Sequence, residues 1–513
     1  MLIGYLVEQF FINTKYFRSL QKHNGKMKIP LLFILIPFVT FGQIQIGEDI
    51  DGEAIGDLSG TSISLSSDGN IVAIGAFDND GNGTNSGHVR VYENSNGTWI
   101  QIGQDIDGEA IGDLSGISVS LSCDGSIVAI GASNNNNNLG HVRVYENHGG
   151  FWTQVGQDID GIPSQFFFGR SVSLSCDGRI VAIGANHINT NSPVSGQVDV
   201  YINQGGTWDR IGNTINNAVG VNVLGTTVSL SDNGNVIAVG TSFDLGNGIL
   251  SGHVRIYKNQ GGFWVQTGQD ISSQIDGDQY GREISLSGDG KILAVSSMMM
   301  NSEQEDIGLV SIYKEEEEEN WVQIGDTISG EMPGDQFGRG ISLSSDGTII
   351  AIGARFNNDN GLAAGNARIF QNEDNVWKQI GNDIDGQMSG DQAGISVSLS
   401  SDGTIIAVGS NLSKAGKGEV RIFDLNNEFI LSVKESATSR FTFFPNPAPS
   451  TVTIELPREH TAVLQKITLY NTLGQRVFVT QNTTIDTSQF TKGIYILQVT
   501  TSEGMASKKL IIE

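Results

Sequence analysis

The chain has 513 residues, which at about 150 residues per domain suggests roughly three domains, although large all-β units exceed that length. It contains 66 glycines but only 9 prolines, which excludes a collagen-like helix. The net charge of −26 argues against a nucleic-acid partner, because such a surface needs a basic face. Two cysteines exclude a disulfide-rich scaffold and a four-thiolate zinc site.

Residues 27–42 have the pattern of a secretory signal peptide. Lys28 is followed by an apolar run too short to span a bilayer, and small residues stand at the −3 and −1 positions before Gln43. Residues 1–26 form an N-terminal extension that fits no signal, so we expect translation to begin at Met27. An N-terminal membrane anchor is the alternative, but the sequence predicts no transmembrane segment there.

An internal repeat fills most of the rest of the chain. The phrase SLSxDG, or its variant SLSDNG, recurs at intervals of 53 to 57 residues and begins at Ser64, Ser120, Ser173, Ser229, Ser285, Ser342 and Ser398. The six tryptophans keep the same interval, at Trp99, Trp152, Trp208, Trp264, Trp321 and Trp377. These markers indicate seven copies of one structural unit.

Each unit is expected to form four strands, of the types SVSLS, IVAIGA, HVRVYEN and WxQIG. Alternating polar and apolar residues indicate strands with one buried face, and the Asp-Gly pair predicts a hairpin turn. The Ala and Gly of IVAIGA would allow close packing between sheets. Seven such units predict an all-β fold, a seven-bladed β-propeller, with a β-solenoid as the alternative.

The ends of the repeat suggest how the ring closes. QIQIG at 43–47 matches the fourth-strand phrase at 99–103 but precedes the first SLS strand. We therefore predict that it completes the last blade. The alternative is that EFILSV at 428–433 fills that place.

The repeat resembles the FG-GAP repeat of integrin-α-like propellers. GDQFGRGISLSSDGTIIAIGA (334–354) and GNARIF (365–370) carry the resemblance, and Phe168-Gly169 and Tyr280-Gly281 repeat the aromatic–glycine pair. The resemblance implies a propeller and no particular activity. That family often binds calcium between its first two strands, but the Ser-x-Asp-Gly link here is too short to surround the ion.

Residues 441–513 resemble the type A C-terminal sorting domain of the Bacteroidota type IX secretion system. The matching phrases, in the order of that family, are FFPNPA (443–448), ITLYNTLGQRV (467–477), KGIYILQV (492–499) and KKLIIE (508–513). The resemblance implies that the type IX machinery binds this segment and that the chain, after Sec export, is secreted or displayed on the outer cell surface. We expect a small C-terminal β-sandwich, with an ordinary Ig-like binding module as the alternative.

The predicted domain order follows from these segments: extension 1–26, signal peptide 27–42, propeller 43–433, linker 434–440 and sorting domain 441–513. The negative charge lies in the propeller, since residues 44–440 hold 19 basic and 50 acidic residues, about −31. A cationic or neutral partner is therefore the expectation for this part of the chain.

Two acidic patterns are candidate cation sites. Asp78, Asp80 and Asn82 have calcium-loop spacing, but Val89 stands where an EF-hand needs Glu, so a metal-free turn is favoured over calcium. The recurring DIDG could also ligate cations, at Asp49 and Asp51, Asp105 and Asp107, Asp158 and Asp160, and Asp383 and Asp385. Because it repeats with the units, a structural role is favoured. No other cofactor is indicated.

The two cysteines, Cys123 and Cys176, occupy the same turn position in adjacent units. They could bridge blades two and three if the turns lie near the propeller axis, since a disulfide needs Cα atoms within about 7 Å. Two unpaired thiols are the alternative, which the sequence favours.

No catalytic motif such as HExxH, GxSxG, GxxxxGK[ST] or CxxC is present. His88, His141 and His253 share one repeat position and are interpreted as structural. The leading hypothesis is a non-catalytic adhesion or recognition module that contacts an extracellular protein or glycan through its second-to-third-strand loops. The alternatives are an extracellular polysaccharide hydrolase or lyase and a structural surface-matrix protein. The sequence does not decide whether the protein is an enzyme, and it favours a protein without enzymatic activity.

Overall fold

The computed structural model describes residues 43–163, 166–186, 196–216, 224–242, 251–273, 277–298, 307–425, 441–456, 464–470, 476–501 and 504–512. The extension, the predicted signal peptide, the EFILSV segment and the predicted linker lie outside the described residues. The predicted domain limits stay predictions for the same reason. Among the described residues, no helix has the length and apolar character needed to cross a membrane.

The SLSxDG region consists of short antiparallel strands. In chain order they are β1 (Ile44–Gln45), β2 (Ile50–Asp51), β3 (Ser62–Leu65), β4 (Ile71–Ala76), β5 (His88–Ser95), β6 (Thr98–Gln101), β7 (Ile106–Asp107), β8 (Ser115–Leu121), β9 (Ile127–Ala132), β10 (His141–Asn147), β11 (Trp152–Gln154), β12 (Ile159–Asp160), β13 (Phe168–Leu174), β14 (Ile180–Ala185), β15 (Gln197–Asn203), β16 (Trp208–Arg210), β17 (Ile215–Asn216), β18 (Leu224–Leu230), β19 (Val236–Thr241), β20 (His253–Gln260), β21 (Phe263–Ser272), β22 (Ile284–Leu286), β23 (Ile292–Ser297), β24 (Leu309–Glu315), β25 (Trp321–Gln323), β26 (Ile328–Ser329), β27 (Phe337–Leu343), β28 (Ile349–Ala354), β29 (Asn366–Glu373), β30 (Val376–Asp385), β31 (Ser396–Leu399), β32 (Ile405–Ser410) and β33 (Glu419–Asp424). Two single-turn helices, α1 (Asn135–Asn138) and α2 (Ser413–Gly416), and a 3-10 turn (Glu317–Glu319) lie in connecting loops.

These strands form seven sheets in the described part of the region. We call them blades: blade 1 is β3–β7, blade 2 is β8–β12, blade 3 is β13–β17, blade 4 is β18–β21, blade 5 is β22–β26, blade 6 is β27–β30, and blade 7 is β31–β33 with β1 and β2. Each blade follows one copy of the repeat, and the predicted strand order inside a unit is confirmed. The fold is a β-propeller.

The N-terminal strand closes the ring. In β1, Gln45 pairs with Phe423 of β33, and the next amide, of Ile46, donates to the carbonyl of Ile422 at 2.7 Å. Trp99 of blade 1 donates its indole N–H to the carbonyl of Ile46 at 2.8 Å. The prediction that residues 43–47 complete the last blade is confirmed, and the same segment also ties blade 7 to blade 1.

At one end of the inner strands, the seven SLSxDG turns form a closed circle of backbone hydrogen bonds. The variable residue of each turn donates its N–H to the carbonyl of the corresponding residue in the next turn, over 2.8–2.9 Å. The circle runs through Ser67, Cys123, Cys176, Asp232, Gly288, Ser345, Ser401 and back to Ser67. We call this circle the turn ring.

A second circle lies one step along the same strands. The first serine of each SLS accepts, through its Oγ, the backbone N–H of the leucine in the following blade, at 2.9–3.0 Å. The last of these bonds joins Leu65 of blade 1 to Ser398 of blade 7. Buried backbone donors need such partners, so the repeated serine has a specific structural role between blades.

Glycine allows the blades to approach one another closely. Gly69, in the first SxDG turn, has φ +69°, and a Cβ there would lie 2.6 Å from Cβ of Ile405 in blade 7. A Cβ on Gly75 of the first IVAIGA strand would lie 2.1 Å from the carbonyl oxygen of Gly116 in blade 2. The expected close packing through small residues is confirmed at these positions.

The C-terminal region forms a separate β-sandwich. One sheet has β34 (Thr442–Phe444), β35 (Thr451–Glu455) and β38 (Thr484–Asp486); the other has β36 (Leu464–Tyr470), β37 (Arg476–Thr480), β39 (Gly493–Thr501) and β40 (Gly504–Ile512). Val452 and Ile454 of the first sheet share one buried cluster with Leu469, Leu497 and Leu510 of the second. The expected sandwich is confirmed.

The cysteines occupy adjacent positions of the turn ring. The structure joins Cys123 and Cys176 in a disulfide, with their Cα atoms 4.6 Å apart. The sequence favoured unpaired thiols, and the structure differs because the ring brings neighbouring turns within the range that a disulfide requires. That the exported protein forms this disulfide is a prediction.

We expect loss of the closing strand to destabilise the propeller. A chain that begins at Glu48 instead of Gln43 loses the β1–β33 pairing and the carbonyl that Trp99 contacts, so its Tm should fall by several degrees. Thermal unfolding of both chains measures this. The control is Ile44→Thr, which changes an exposed side chain and leaves the backbone pairing intact. An unchanged Tm after truncation would contradict this role of β1.

We expect the cysteine pair to be oxidised in the exported protein. Intact mass after alkylation should show no adduct without reduction and two adducts after reduction. Because the bridge closes a loop over a sequence separation of 53, the Cys123→Ser and Cys176→Ser double variant should lose at most about 4 kcal/mol of stability. Adducts on the unreduced protein would contradict the bridge.

Candidate functional site

A cavity of about 410 Å³ lies on the propeller axis and receives side chains from all seven blades. Its lining includes Thr61 and Ser62, at the start of an inner strand, and Phe77, Arg355 and Asn411, which directly follow second strands or begin the loops after them. The cavity therefore lies at the opposite end of the inner strands from the turn ring. The second-to-third-strand loops project from this same end.

Four arginines line this axial cavity. Arg170, Arg282 and Arg339 each follow the aromatic–glycine pair of blades 3, 5 and 6, and Arg355 follows the second strand of blade 6. The described lining residues include a single carboxylate, Glu283. A local excess of positive charge is thus enclosed by a strongly acidic ring.

The intramolecular contacts only partly satisfy these guanidinium groups. Arg339 Nη1 lies 2.9 Å from Glu283 Oε1, and the guanidinium of Arg355 stacks on Phe356, 4.4 Å from the ring centroid. The Nε atoms of Arg282 and Arg339 are buried and have no hydrogen-bond partner among the described residues. Guanidinium groups with unused donor capacity therefore line a cavity that contains little negative charge.

Burial, and then repulsion among these cations, lowers the pKa of Arg170, Arg282 and Arg355. Burial, followed by the charges of Arg339 and Arg282, lowers the pKa of Arg355 to about 10. Burial and the charge of Arg339 likewise lower the pKa of Arg170 and of Arg282, although Glu283 acts in the opposite direction. An anion in the cavity would relieve this repulsion.

The arrangement suits the binding of an acidic group better than hydrolysis of a sugar. A glycosidase needs two carboxyl groups about 5–10 Å apart across the bond that is cleaved. In the described lining of the axial cavity, Glu283 has no second carboxyl group beside it and is paired with Arg339. Guanidinium groups bind carboxylate, sulfate and phosphate oxygens through paired hydrogen bonds.

The predicted calcium loop uses its side chains within the fold. Asp78 Oδ1 accepts from Asn85 Nδ2 at 2.7 Å, and Asp80 Oδ1 accepts from the backbone N–H of Asn85 at 2.8 Å. Asn82 Nδ2 donates to the carbonyl of Gly108 at 2.8 Å. These contacts belong to an Asn/Asp-rich turn, and calcium binding by this loop stays a prediction.

Sequence reasoning overlooked the arginines although a signal was present. Only the units with an aromatic residue before the glycine have arginine after it, at FGR (168–170), YGR (280–282) and FGR (337–339). The sequence does not reveal that this position faces the axis. The expectation of a cationic or neutral partner rests on the overall charge, and the axial cavity has the opposite sign.

Comparison with known proteins agrees with both sequence resemblances. The secretion system C-terminal sorting domain matches residues 442–513, and the FG-GAP repeat matches residues 327–370. The chain contains an FG-GAP repeat and a type IX secretion sorting domain. It is exported through that system to the cell surface or the extracellular space.

The search of curated proteins found no match to this chain. Among solved structures, it is similar to a chain of Kuenenia stuttgartiensis hydrazine synthase, with 12% identity and a TM-score of 0.45. The similarity covers 70% of this chain and 93% of that chain. We base no functional argument on it.

We expect removal of one cavity charge to stabilise the fold. Arg282→Met keeps the aliphatic part of the side chain and removes a cation that Arg339 repels, so Tm at low ionic strength should rise by on the order of 1 °C. Thermal unfolding at low and high salt measures this, and the gain should shrink with salt. Arg179→Met, at an exposed turn position at the other end of the ring, is the control. A clear fall in Tm would instead assign Arg282 a structural role.

Proposed function

We propose that this exported propeller is a non-catalytic adhesion or recognition module that binds an acidic group of an extracellular glycan or protein in its axial cavity. The observation that carries the proposal is the convergence of four arginines and one carboxylate at the loop end of the ring. An acidic group gains paired hydrogen bonds there and reduces the mutual repulsion of the guanidinium groups.

The geometry of the ring also favours a recognition role. The turn ring and the serine circle hold the inner strands rigidly at one end. Loops at the other end are free to differ without disturbing the strand pairings, and binding residues are common on loops carried by a rigid scaffold. The axial cavity would provide charge recognition, and the surrounding loops would provide selectivity.

Export supports a partner outside the cell. The sorting domain directs the chain through the type IX system, so the ligand belongs to the cell surface or its surroundings. Uronate- or sulfate-bearing polysaccharides and proteins with accessible carboxylates offer the required chemistry. Because the outer surface of the propeller is acidic, a ligand with one or a few acidic groups fits better than a dense polyanion.

The test is a glycan and protein array probed with residues 43–513, with and without calcium. We expect binding to acidic glycans or proteins and weaker binding to their neutral counterparts. Arg282→Gln together with Arg339→Gln should weaken that binding by roughly tenfold or more, since hydrogen bonds between charged groups contribute about 1.5–3 kcal/mol each.

Arg179→Gln is the matched control, because it removes an exposed arginine outside the axial cavity. It should leave array binding unchanged. Equal loss in the control and in the double variant would indicate non-specific charge attraction. Binding that needs calcium and is insensitive to the cavity variants would instead favour the Asp78–Asn82 loop, and release of sugar from a bound polysaccharide would favour the hydrolase or lyase alternative.

A further inference from the structure

Two neighbouring blades carry the same cluster of one histidine and two carboxylates. In blade 1, Glu53, His88 and Asp105 each contribute a donor atom, and the three atoms lie within 4.8 Å of one another. His88 Nδ1 is 3.8 Å from Glu53 Oε2 and 3.9 Å from Asp105 Oδ2. This cluster lies where strand β5 begins, away from the axial cavity.

Blade 2 repeats the cluster with equivalent residues. Glu109, His141 and Asp158 bring their donor atoms within the same 4.8 Å limit. His141 Nδ1 lies 3.9 Å from Glu109 Oε2. The repetition reproduces the side-chain arrangement as well as the residue types, because both histidines begin the third strand of their blade.

The histidine at the centre of the first cluster is buried and lacks partners. His88 is 1% exposed, and neither ring nitrogen has a hydrogen-bond partner among the described residues. Its Nδ1 is the ring atom that lies nearest both carboxylates, so this nitrogen is the one placed to share a ligand with them.

Neighbouring side chains orient the carboxylates for a common ligand. Gln101 donates to Asp105 Oδ1 at 2.6 Å, so that Oδ2 is the oxygen nearer to His88. Arg90 Nη1 lies 3.7 Å from Glu53 Oε1 and leaves Oε2 on the histidine side. In metal sites, such outer contacts commonly fix the ligand atoms. Glu53 is 47% exposed, which gives an ion access from solvent.

Blade 7 places a cation in the equivalent position. There Glu419 takes the place of the histidine and Asp49 takes the place of Asp105. Lys414 Nζ lies 3.0 Å from Glu419 Oε2 and 3.5 Å from Asp49 Oδ2. In blade 7, the ammonium group of Lys414 thus lies beside the carboxylates that correspond to the cluster of blade 1.

Blade 2 has no such lysine. Asn136 corresponds to Lys414, since each is the second residue of a four-residue helix and has positive φ, 50° and 54°. An uncharged amide replaces the ammonium group there. The ammonium group that faces the carboxylates in blade 7 is therefore missing in blade 2, where Arg143 Nη1 lies 3.5 Å from Glu109 Oε1 on the side away from the histidine.

We propose that the clusters of blades 1 and 2 each bind a divalent transition-metal ion of the zinc class. One imidazole nitrogen and two carboxylate oxygens form a ligand set that suits zinc, and water would complete the coordination. Zinc bonds of about 2.1 Å place tetrahedral ligands about 3.4 Å apart. The distances from His88 Nδ1 to the two carboxylates need to shorten by roughly half an ångström, and any donor pair at the 4.8 Å limit by about 1.4 Å. Calcium fits less well, because it takes six to eight oxygen ligands.

Each ion would join the loop that enters a blade to the outer strand of that blade. Glu53 and Glu109 lie in the entering loops, whereas Asp105 and Asp158 immediately precede the outer strands β7 and β12. Bound metal would therefore brace the loop end of blades 1 and 2, as Lys414 braces blade 7. This inference does not depend on a ligand in the axial cavity.

The test is calorimetric titration of untagged residues 43–513 with zinc chloride, followed by thermal unfolding with zinc and with a chelator. We expect two zinc ions per chain, one for each cluster, and a higher Tm with zinc. The His88→Asn and His141→Asn double variant should lose both sites, and each single variant should keep one. Asparagine suits the fold at this position, since Asn366 occupies it in blade 6 and donates to Asp383 at 3.2 Å.

His148→Asn is the matched control, because His148 is 60% exposed and has a carboxylate, Glu146, 3.4 Å away. It should keep the stoichiometry of two. If the double variant does not fold, Glu53→Gln with Glu109→Gln replaces exposed ligands and should weaken zinc binding by roughly tenfold or more. Absence of micromolar zinc binding in the unchanged chain, or equal binding by the ligand variants, would overturn the proposal.

Discussion

The whole propeller depends on the requirement that buried backbone donors on the inner strands find partners. Seven equivalent turns and seven equivalent serines provide these partners between blades rather than within them. Each blade therefore needs both neighbours, and the last blade needs the first. The N-terminal segment at residues 44–46 meets this need. Its strand β1 pairs with β33 and completes blade 7, and the carbonyl of Ile46 accepts the indole N–H of Trp99 in blade 1.

The same constraint separates the two ends of the molecule. At the turn end, the backbone is drawn towards the axis so closely that neighbouring turns come within disulfide range, as at Cys123 and Cys176. At the loop end, the loop residues do not pair as strands, and polar and charged side chains lie close together there. The arginines of the axial cavity and the histidine clusters of blades 1 and 2 both lie at this end.

Because the blades repeat one sequence pattern, a residue that departs from the pattern at an equivalent position is informative. Most polar residues on the inner strands are serine or threonine, whereas arginine appears after the glycine only in blades 3, 5 and 6. The histidine position shows the same behaviour: it holds histidine with two carboxylates in blades 1 and 2, and Glu419 with Lys414 in blade 7. Overall charge conceals such features, because a net of −26 says nothing about where individual cations lie.

Periodicity in the sequence determined the repeat, its four strands and the closing strand, since these follow from local patterns and fixed spacing. The sorting domain was indicated by the resemblance of residues 441–513 to a known family. Tertiary structure decided what meets across blades. It brought Arg170, Arg282 and Arg339 to one cavity, although 169 residues separate the first from the last. It also placed Glu53 of an entering loop beside His88 and Asp105. Spacing alone cannot give these contacts, because they depend on the curvature with which the ring closes.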